Sequence, residues 1–293
     1  MRKLLGLALV LGWIFPAAVL GAEINSVVVD KKTNSLYLMK YANGALNRLK
    51  TYRTTLGLIP GDKRVEGDRK TPEGIYLFEE VKRPPNLAKK FGSLALTMNY
   101  PNPWDRMMKY TGSGIWLHAT DEPKRLERNL DSLGCVVLKD EELADLSKDL
   151  NPRLSPILIF EDFEKESGNQ TPAEAAKVEA FVNSWAKAWS GKDLDGYIGA
   201  YHPQFTDSGK NVVAWRAYKK ALNQRYKEID VKVNNVVVFT HPKYYMVMFN
   251  QSYDSKLNNG VRAKSTAGVK ILYVTVEKDG YKILAERFRN TKI

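Results

Sequence analysis

Cysteine is nearly missing from this chain of 293 residues, with Cys135 the only one. No internal disulfide and no multi-cysteine metal site can form from it. Histidine is almost as scarce, at three, which leaves a histidine-rich metal centre without ligands. Beyond the N-terminal segment there is no long apolar run, and mean hydropathy is −0.38, so a multi-span membrane protein is excluded. Internal repeats and low-complexity tracts are absent too. What remains is ordinary globular material, 44% hydrophobic and 27% charged, which excludes whole-chain disorder and a collagen-like repeat. The length suits two domains.

The first residues point to export. Arg2 and Lys3 precede an apolar run from Leu4 to Leu20, broken by Pro16 and closed by the small residues Gly21 and Ala22 before the first acid, Glu23. A short basic region, an apolar stretch and a small-residue end make a secretory signal peptide over residues 1–22. An uncleaved anchor is the rival reading. A lipoprotein is not expected, because no cysteine lies near the cleavage site. The expectation is an exported, periplasmic protein with no stable membrane insertion after signal cleavage. A lone thiol in that oxidising compartment is buried, intermolecular or reactive.

Two halves follow. From Ile24 to Phe160 the pattern is mostly short strands: Ser26–Asp30, Ser35–Met39, Leu49–Leu56, Gly74–Phe78, Gly114–His118 and a closing Ile157–Phe160. Lys31–Asn34 reads as a turn, and Asp140–Leu146 as a short helix with an acidic start. The polar stretch after Glu161 reads as a linker. Thr171-Pro172-Ala-Glu174 then opens a helix with a capping signature, its stripe of Val178, Phe181, Val182, Trp185 and Trp189 ending at Gly191. A short helix with Tyr197 and Tyr201, a helix over Val212–Tyr226 and four strands complete the chain. Trp185, Trp189 and Trp215 are expected in the core. Lys278-Asp-Gly280 marks the last hairpin. The division is signal peptide 1–22, a mainly β first domain 23–162, linker 163–172, and an α+β second domain 173–293.

The chemistry is concentrated between Thr54 and Leu138. A Gly- and charge-rich stretch, Gly61 to Gly74, lacks the Gly-Lys-Ser/Thr arrangement of a phosphate loop. By itself it is a surface loop before a strand. Ile115-Trp-Leu-His118 is a strand with a histidine near its end, which taken alone is more often structural than catalytic. Ser132-Leu-Gly134-Cys135 lets the chain turn tightly beside the sulfur. A thiol nucleophile needs a base and donors for the developing oxyanion. His118 is the only histidine in this half, so a cysteine–histidine acyl-transfer enzyme is the natural reading.

In combination these motifs resemble the L,D-transpeptidase catalytic domain: Gly-Asp-Lys-x(3)-Gly-Asp-x-Lys-Thr-Pro-Glu-Gly at 61–74, Leu-His-Ala-Thr at 117–120, and Ser-Leu-Gly-Cys at 132–135. The resemblance covers roughly residues 24–160. It implies a mixed β-sandwich with short helices, acting on peptidoglycan stem peptides without metal or other cofactor. Cys135 would be the nucleophile and His118 its base. Ser132, Gly134 and the backbone at Cys135 would shape the oxyanion hole, while Trp116 and Ala119 would meet the substrate.

Two positions depart from the pattern. Val137 stands where these enzymes usually place arginine, two residues after the cysteine, and Leu133 stands where histidine or arginine is common. With a second α+β domain, the chain is similar to the cell-shape-determining L,D-carboxypeptidases, whose C-terminal domain is a cone-shaped fold like nuclear transport factor 2. Those enzymes hydrolyse the terminal D-Ala from tetrapeptide stems. True cross-linking, release of wall-bound protein, and a non-catalytic wall-binding module are the alternatives.

Net charge of +12 invites a nucleic-acid reading, but the excess is local. Residues 173–293 hold 20 Lys+Arg against 11 Asp+Glu, and residues 23–172 hold 23 against 22. The basic residues alternate with acids and form no run, and nucleic acid is a poor partner for an exported protein. Carboxylate-bearing stem peptides suit the charge better. Lys270 and Glu286 are expected roughly opposite each other on the last hairpin, as a grip on diaminopimelate or as an ordinary cross-strand ion pair.

Overall fold

The computed structural model describes residues 22–293. Of the expected signal peptide, residues 1–21 therefore lie outside the described residues.

The first half contributes β1 (Ile24–Asp30), β2 (Ser35–Ala42), β3 (Ala45–Arg53), β4 (Leu56–Gly57), β5 (Gly74–Lys82), β6 (Ala95–Met98), α1 (Pro103–Met107), β7 (Trp116–His118), β8 (Leu130–Ser132), β9 (Val136–Val137), α2 (Asp140–Lys148) and β10 (Pro156–Phe160). Eight of the strands form one sheet in the order β3-β2-β1-β10-β5-β6-β7-β9, and β4 pairs with β8. Most pairs are antiparallel, but β1 runs parallel to β10, β7 parallel to β9 and β4 parallel to β8.

The second half contributes α3 (Phe163–Glu166), α4 (Pro172–Ser190), α5 (Leu194–Gly199), β11 (Thr206–Asp207), β12 (Lys210–Asn211), α6 (Val212–Arg225), β13 (Tyr226–Thr240), β14 (Tyr245–Leu257), β15 (Arg262–Glu277) and β16 (Gly280–Arg289). The last four make an antiparallel sheet in chain order. Thr171 caps α4 by accepting the Glu174 N–H, as the capping signature predicts. The polar connector holds more structure than its composition suggests. Asp162 caps α3, and Phe163 is buried against Tyr37 and Phe160.

The two sheets pack face to face, and the sequence carries the mark of it. In β1, Val27, Val28 and Val29 all have no exposed surface. Val27 and Val29 face one core with Leu143 and Leu146 of α2, while Val28 faces another with Val237, Phe239, Met246 and Met248 of the second sheet. A strand covered on both faces reads as a continuous apolar run, with no alternation. The same holds for β14, whose Met246 and Met248 face the first sheet while Val247 and Phe249 face Val182 and Trp185 of α4. The order of layers is thus α2, first sheet, second sheet, helices α4 to α6.

Polar ties cross the contact between the sheets. The Tyr244 hydroxyl donates to Ile75 O (2.9 Å) and accepts from Ile75 N (2.6 Å) and Asn102 Nδ2 (2.5 Å). Arg287 grips Glu79 through both terminal nitrogens. Lys243 donates to Asp62 Oδ2 (2.7 Å) and to Glu73 O (2.8 Å), so the second half holds the Gly61–Gly74 loop directly.

Candidate active site

Parallel pairing brings the scarce residues together. Leu117 pairs with Val136 and His118 with Val137, so Cys135 enters β9 opposite Trp116. Leu117 and Val136 share the core face of this pair, which leaves Trp116, His118 and Cys135 to the opposite face. There they line a cleft of about 290 Å³ together with Lys90, Phe91, Gly114, Arg125, Ser132 and Leu133.

The turn before the cysteine is braced from inside. Ser132 Oγ donates to Cys135 O (2.7 Å) and accepts the Gly134 N–H (3.1 Å). The Gly134 N–H is thus engaged by Ser132, whereas the Cys135 N–H has no acceptor among the described residues. Gly134 is required by the backbone: its φ is +126°, and a Cβ there would meet Lys70 O at 2.7 Å. The Gly61–Gly74 stretch, a surface loop by composition, therefore packs directly on the cysteine turn. Within it Lys63 and the N–H groups of Arg64, Val65 and Lys70 overcome burial and hold the Asp68 carboxyl at about 2.

His118 is oriented by the chain itself. Its Nδ1 lies 2.5 Å from Ala119 O, and a carbonyl can only accept, so Nδ1 carries the proton and Nε2 the lone pair. The Phe91 ring meets the imidazole edge-on at 4.9 Å. Burial lowers the His118 pKa to about 4, with Arg125 and Lys90 adding to the effect. Burial also raises the Cys135 thiol, against the pull of the Trp116 N–H and the Arg125 charge. The sulfur also lies 3.6 Å from Gly114 O, to which it donates. Burial therefore favours the neutral thiol and the neutral imidazole over a thiolate–imidazolium pair.

Trp116 lines the cleft, but Ala119 does not. It is fully buried in the core behind His118, and contributes to the site through its carbonyl. The missing arginine cannot act from position 137, because Val137 is fully buried and pairs with His118. Lys90 and Arg125 were not legible as site residues. They sit in charged stretches that look like solvated surface, and only the return of the chain toward Cys135 brings them to the cleft. Among the described residues no group of His, Cys, Asp and Glu could hold a metal ion.

A second cluster lies far from the cysteine. The register sets Lys270 opposite Phe288 and Glu286 opposite Leu272, with a bulge at Tyr273/Val274, so the rough opposition expected of the two is a diagonal one. The pair still meets, with Nζ 2.9 Å from Oε1 and both side chains 7% exposed. Tyr201 donates to Glu286 Oε2 (3.0 Å). Lys219, which the sequence alone does not single out, stands nearby with Nζ 3.8 Å from the Trp189 ring centroid, 4.6 Å from Trp215 and 4.9 Å from Tyr197. Burial alone would raise the Glu286 carboxyl, but Lys270, Lys219 and the Tyr201 hydroxyl hold it below the ordinary range. One edge of Glu286 lines a larger cleft, of about 730 Å³, between α1 and the β11–β12 and β16 strands.

Fold and site together define a catalytic domain of the L,D-transpeptidase class joined to a helix-backed curved sheet. Residues 24–159 match the YkuD L,D-transpeptidase catalytic domain, and residues 177–287 match the Cds6 C-terminal NTF2-like domain. The whole chain is similar to the structure of Bdellovibrio bacteriovorus Bd1075, at 28% identity over 94% of this chain and 95% of that one, with a TM-score of 0.74. It also shares its fold with the helical cell shape determining protein Pgp2 from Campylobacter jejuni, at 24% identity, 92% and 94% coverage and a TM-score of 0.69. No curated protein matches the chain. Among the described residues no helix is long and apolar enough to cross a membrane.

Proposed function

We propose that the protein is an exported, periplasmic cysteine L,D-carboxypeptidase that removes the terminal D-Ala from tetrapeptide stems of peptidoglycan and so takes part in shaping the cell. In this reading residues 23–162 are catalytic, 163–172 connect, and 173–293 are the accessory domain. The observation that carries it is the cleft shared by Cys135 and a His118 whose Nδ1–H is spent on Ala119 O, leaving Nε2 as the base.

Cys135 Sγ attacks the carbonyl joining diaminopimelate to D-Ala while its proton passes to His118 Nε2. The Cys135 N–H faces the oxyanion. Collapse breaks the C–N bond, Nε2–H protonates the departing amine, and a thioester remains. Water then adds, gives its proton to Nε2, and the returning thiol takes that proton as the tripeptide carboxylate leaves. Crosslinking would differ only in the second acceptor. Hydrolysis is favoured because Val137, buried in β9, stands where the cross-linking enzymes usually carry an arginine.

Lys270 and Glu286 are proposed to bind the stem peptide from the second domain. Support comes from their burial as a pair and from the edge that Glu286 presents to the larger cleft. Digestion of purified muropeptides with mass spectrometry tests the main reading: tetrapeptides should become tripeptides without new dimers. Diaminopimelate–diaminopimelate crosslinks with little tripeptide would make it a transpeptidase, and no change at all would favour a binding module. Full-length Lys270→Met should raise KM with little change in kcat if the second domain binds substrate.

A further inference from the structure

An enzyme that removes a terminal residue must recognise a free carboxylate one residue beyond the bond it breaks. The cleft contains Cys135 and His118 but no cation at the family's usual position, since Val137 is buried. Two cations reach it from elsewhere, Lys90 and Arg125. Lys90 is exposed, with Nζ 5.0 Å from the Phe91 ring centroid. Arg125 is different, because it is held in place.

Arg125 sits on the 3-10 turn Pro123–Glu127, within the stretch that connects His118 to Ser132. Leu126 anchors that turn in the core, and its carbonyl accepts from Arg53 Nε (2.7 Å). The guanidinium is clamped by Nε to Asp131 Oδ2 (3.2 Å), Nη2 to Asp131 O (2.5 Å) and Nη1 to Thr120 Oγ1 (3.5 Å). These contacts take three of its five N–H groups, one from each nitrogen, and leave one on each terminal nitrogen. Asp131 is shared, since Arg128 Nη1 lies 3.6 Å from its other carboxylate oxygen. A pre-oriented, part-exposed guanidinium with a donor left on each terminal nitrogen is suited to a carboxylate.

We propose that Arg125 is the specificity-determining residue that holds the C-terminal carboxylate of the leaving D-amino acid, taking the place of the absent arginine at position 137. The inference rests on the carboxypeptidase reading and adds to it the group that selects a chain end over an internal bond. It also explains the path of the connecting stretch between β7 and β8, since the same turn that returns the chain to Cys135 delivers the cation.

The test compares D-Ala release from a tetrapeptide stem with D-alaninamide release from the same stem amidated at its C-terminus. The wild-type protein should prefer the acid by about 10- to 100-fold in kcat/KM. Arg125→Gln should bring that ratio close to one, chiefly by raising KM for the acid. Arg125→Lys keeps the charge without the fork and should fall between. It carries the test if the glutamine variant fails to fold. A wild-type protein indifferent to amidation, or either folded variant with the wild-type ratio, overturns the assignment. Failure of the underlying reading looks different: the wild-type protein would then release no D-Ala from the acid at all.

Discussion

The two halves of the molecule treat ionisable groups in opposite ways. In the first, Cys135, His118 and Arg125 line an open cleft, and burial favours the neutral thiol and the neutral imidazole. In the second, Glu286 is buried and its carboxyl is held below the ordinary range by Lys270, Lys219 and the Tyr201 hydroxyl, with three aromatic faces around Lys219. The lesson is where the free energy goes. Neutral groups at a cleft cost the fold little and can be removed without harming it, so their loss registers in rate. A buried network is expensive to break, because whatever remains is an uncompensated charge, so its loss registers first in stability.

The sharpest break of that contrast is Cys135→Ala. Muropeptide turnover should fall to background while the urea midpoint moves little, since the side chain removed is small and sits at the cleft. Activity at wild-type rate would show that the nucleophile lies elsewhere. His118→Ala comes next, with a loss of about 10²–10⁴-fold in kcat. The pH profile sharpens it. Nε2 must be unprotonated to act, and with the pKa at about 4 the acid limb of kcat/KM should lie near there, well below the ordinary histidine value of 6.5. An acid limb at 6.5 would mean that the imidazole is solvated in solution.

Much of this was legible beforehand. Cys135 and His118 stood out because each is unique in its half, and the strands of the first half were visible as apolar runs between turns. The far end of β13, up to Thr240, packs on Tyr41, whose hydroxyl accepts the Val238 N–H, a contact between the halves. The depth of the contact between the halves was not legible. A run such as Ile157–Phe160 is equally compatible with a lipid-like core or a second sheet, and nothing local says which. That contact also changes an experiment. A chain ending near Glu166 would expose Val28, Tyr37, Ile75 and Leu158, which Phe239, Tyr244 and Met246 now cover, so truncation tests stability before it tests substrate binding. Arg125 and Lys219 were hidden for a shared reason, since a charged residue in a charged stretch looks solvated until the fold buries it.

The second half is probed by Glu286→Ala. Removing the carboxylate leaves Lys270 and Lys219 buried together, so the loss should be about 3–5 kcal/mol in unfolding free energy. Lys270→Met should cost less, because Glu286 keeps Lys219 and the Tyr201 hydroxyl as partners. Urea denaturation of both variants at pH 7 decides the order. Equal and small losses would mean that the network is open to water and closer in kind to the first half's cleft than its burial implies.

The smallest effect is expected at Lys219, and it appears as a slope. Burial lowers its pKa to about 7 in the folded protein, despite the Glu286 charge and the aromatic faces, against the ordinary 10.5 when unfolded. Between those values the unfolded chain binds the extra proton, so stability should rise with pH from about 7 toward 10.5, and below 7 this group should add no slope. Each pH unit crossed is about 1.4 kcal/mol, which gives about 2–3 kcal/mol between pH 7 and pH 9. Lys219→Met removes the titration, so the difference between wild type and variant should shift by that amount toward the wild type over this range. Urea midpoints measured for both proteins at pH 6, 7 and 9 give the result. Parallel curves would show that the ring faces of Trp189, Trp215 and Tyr197 hold the ammonium charged throughout, with cation–π attraction outweighing desolvation inside this sheet.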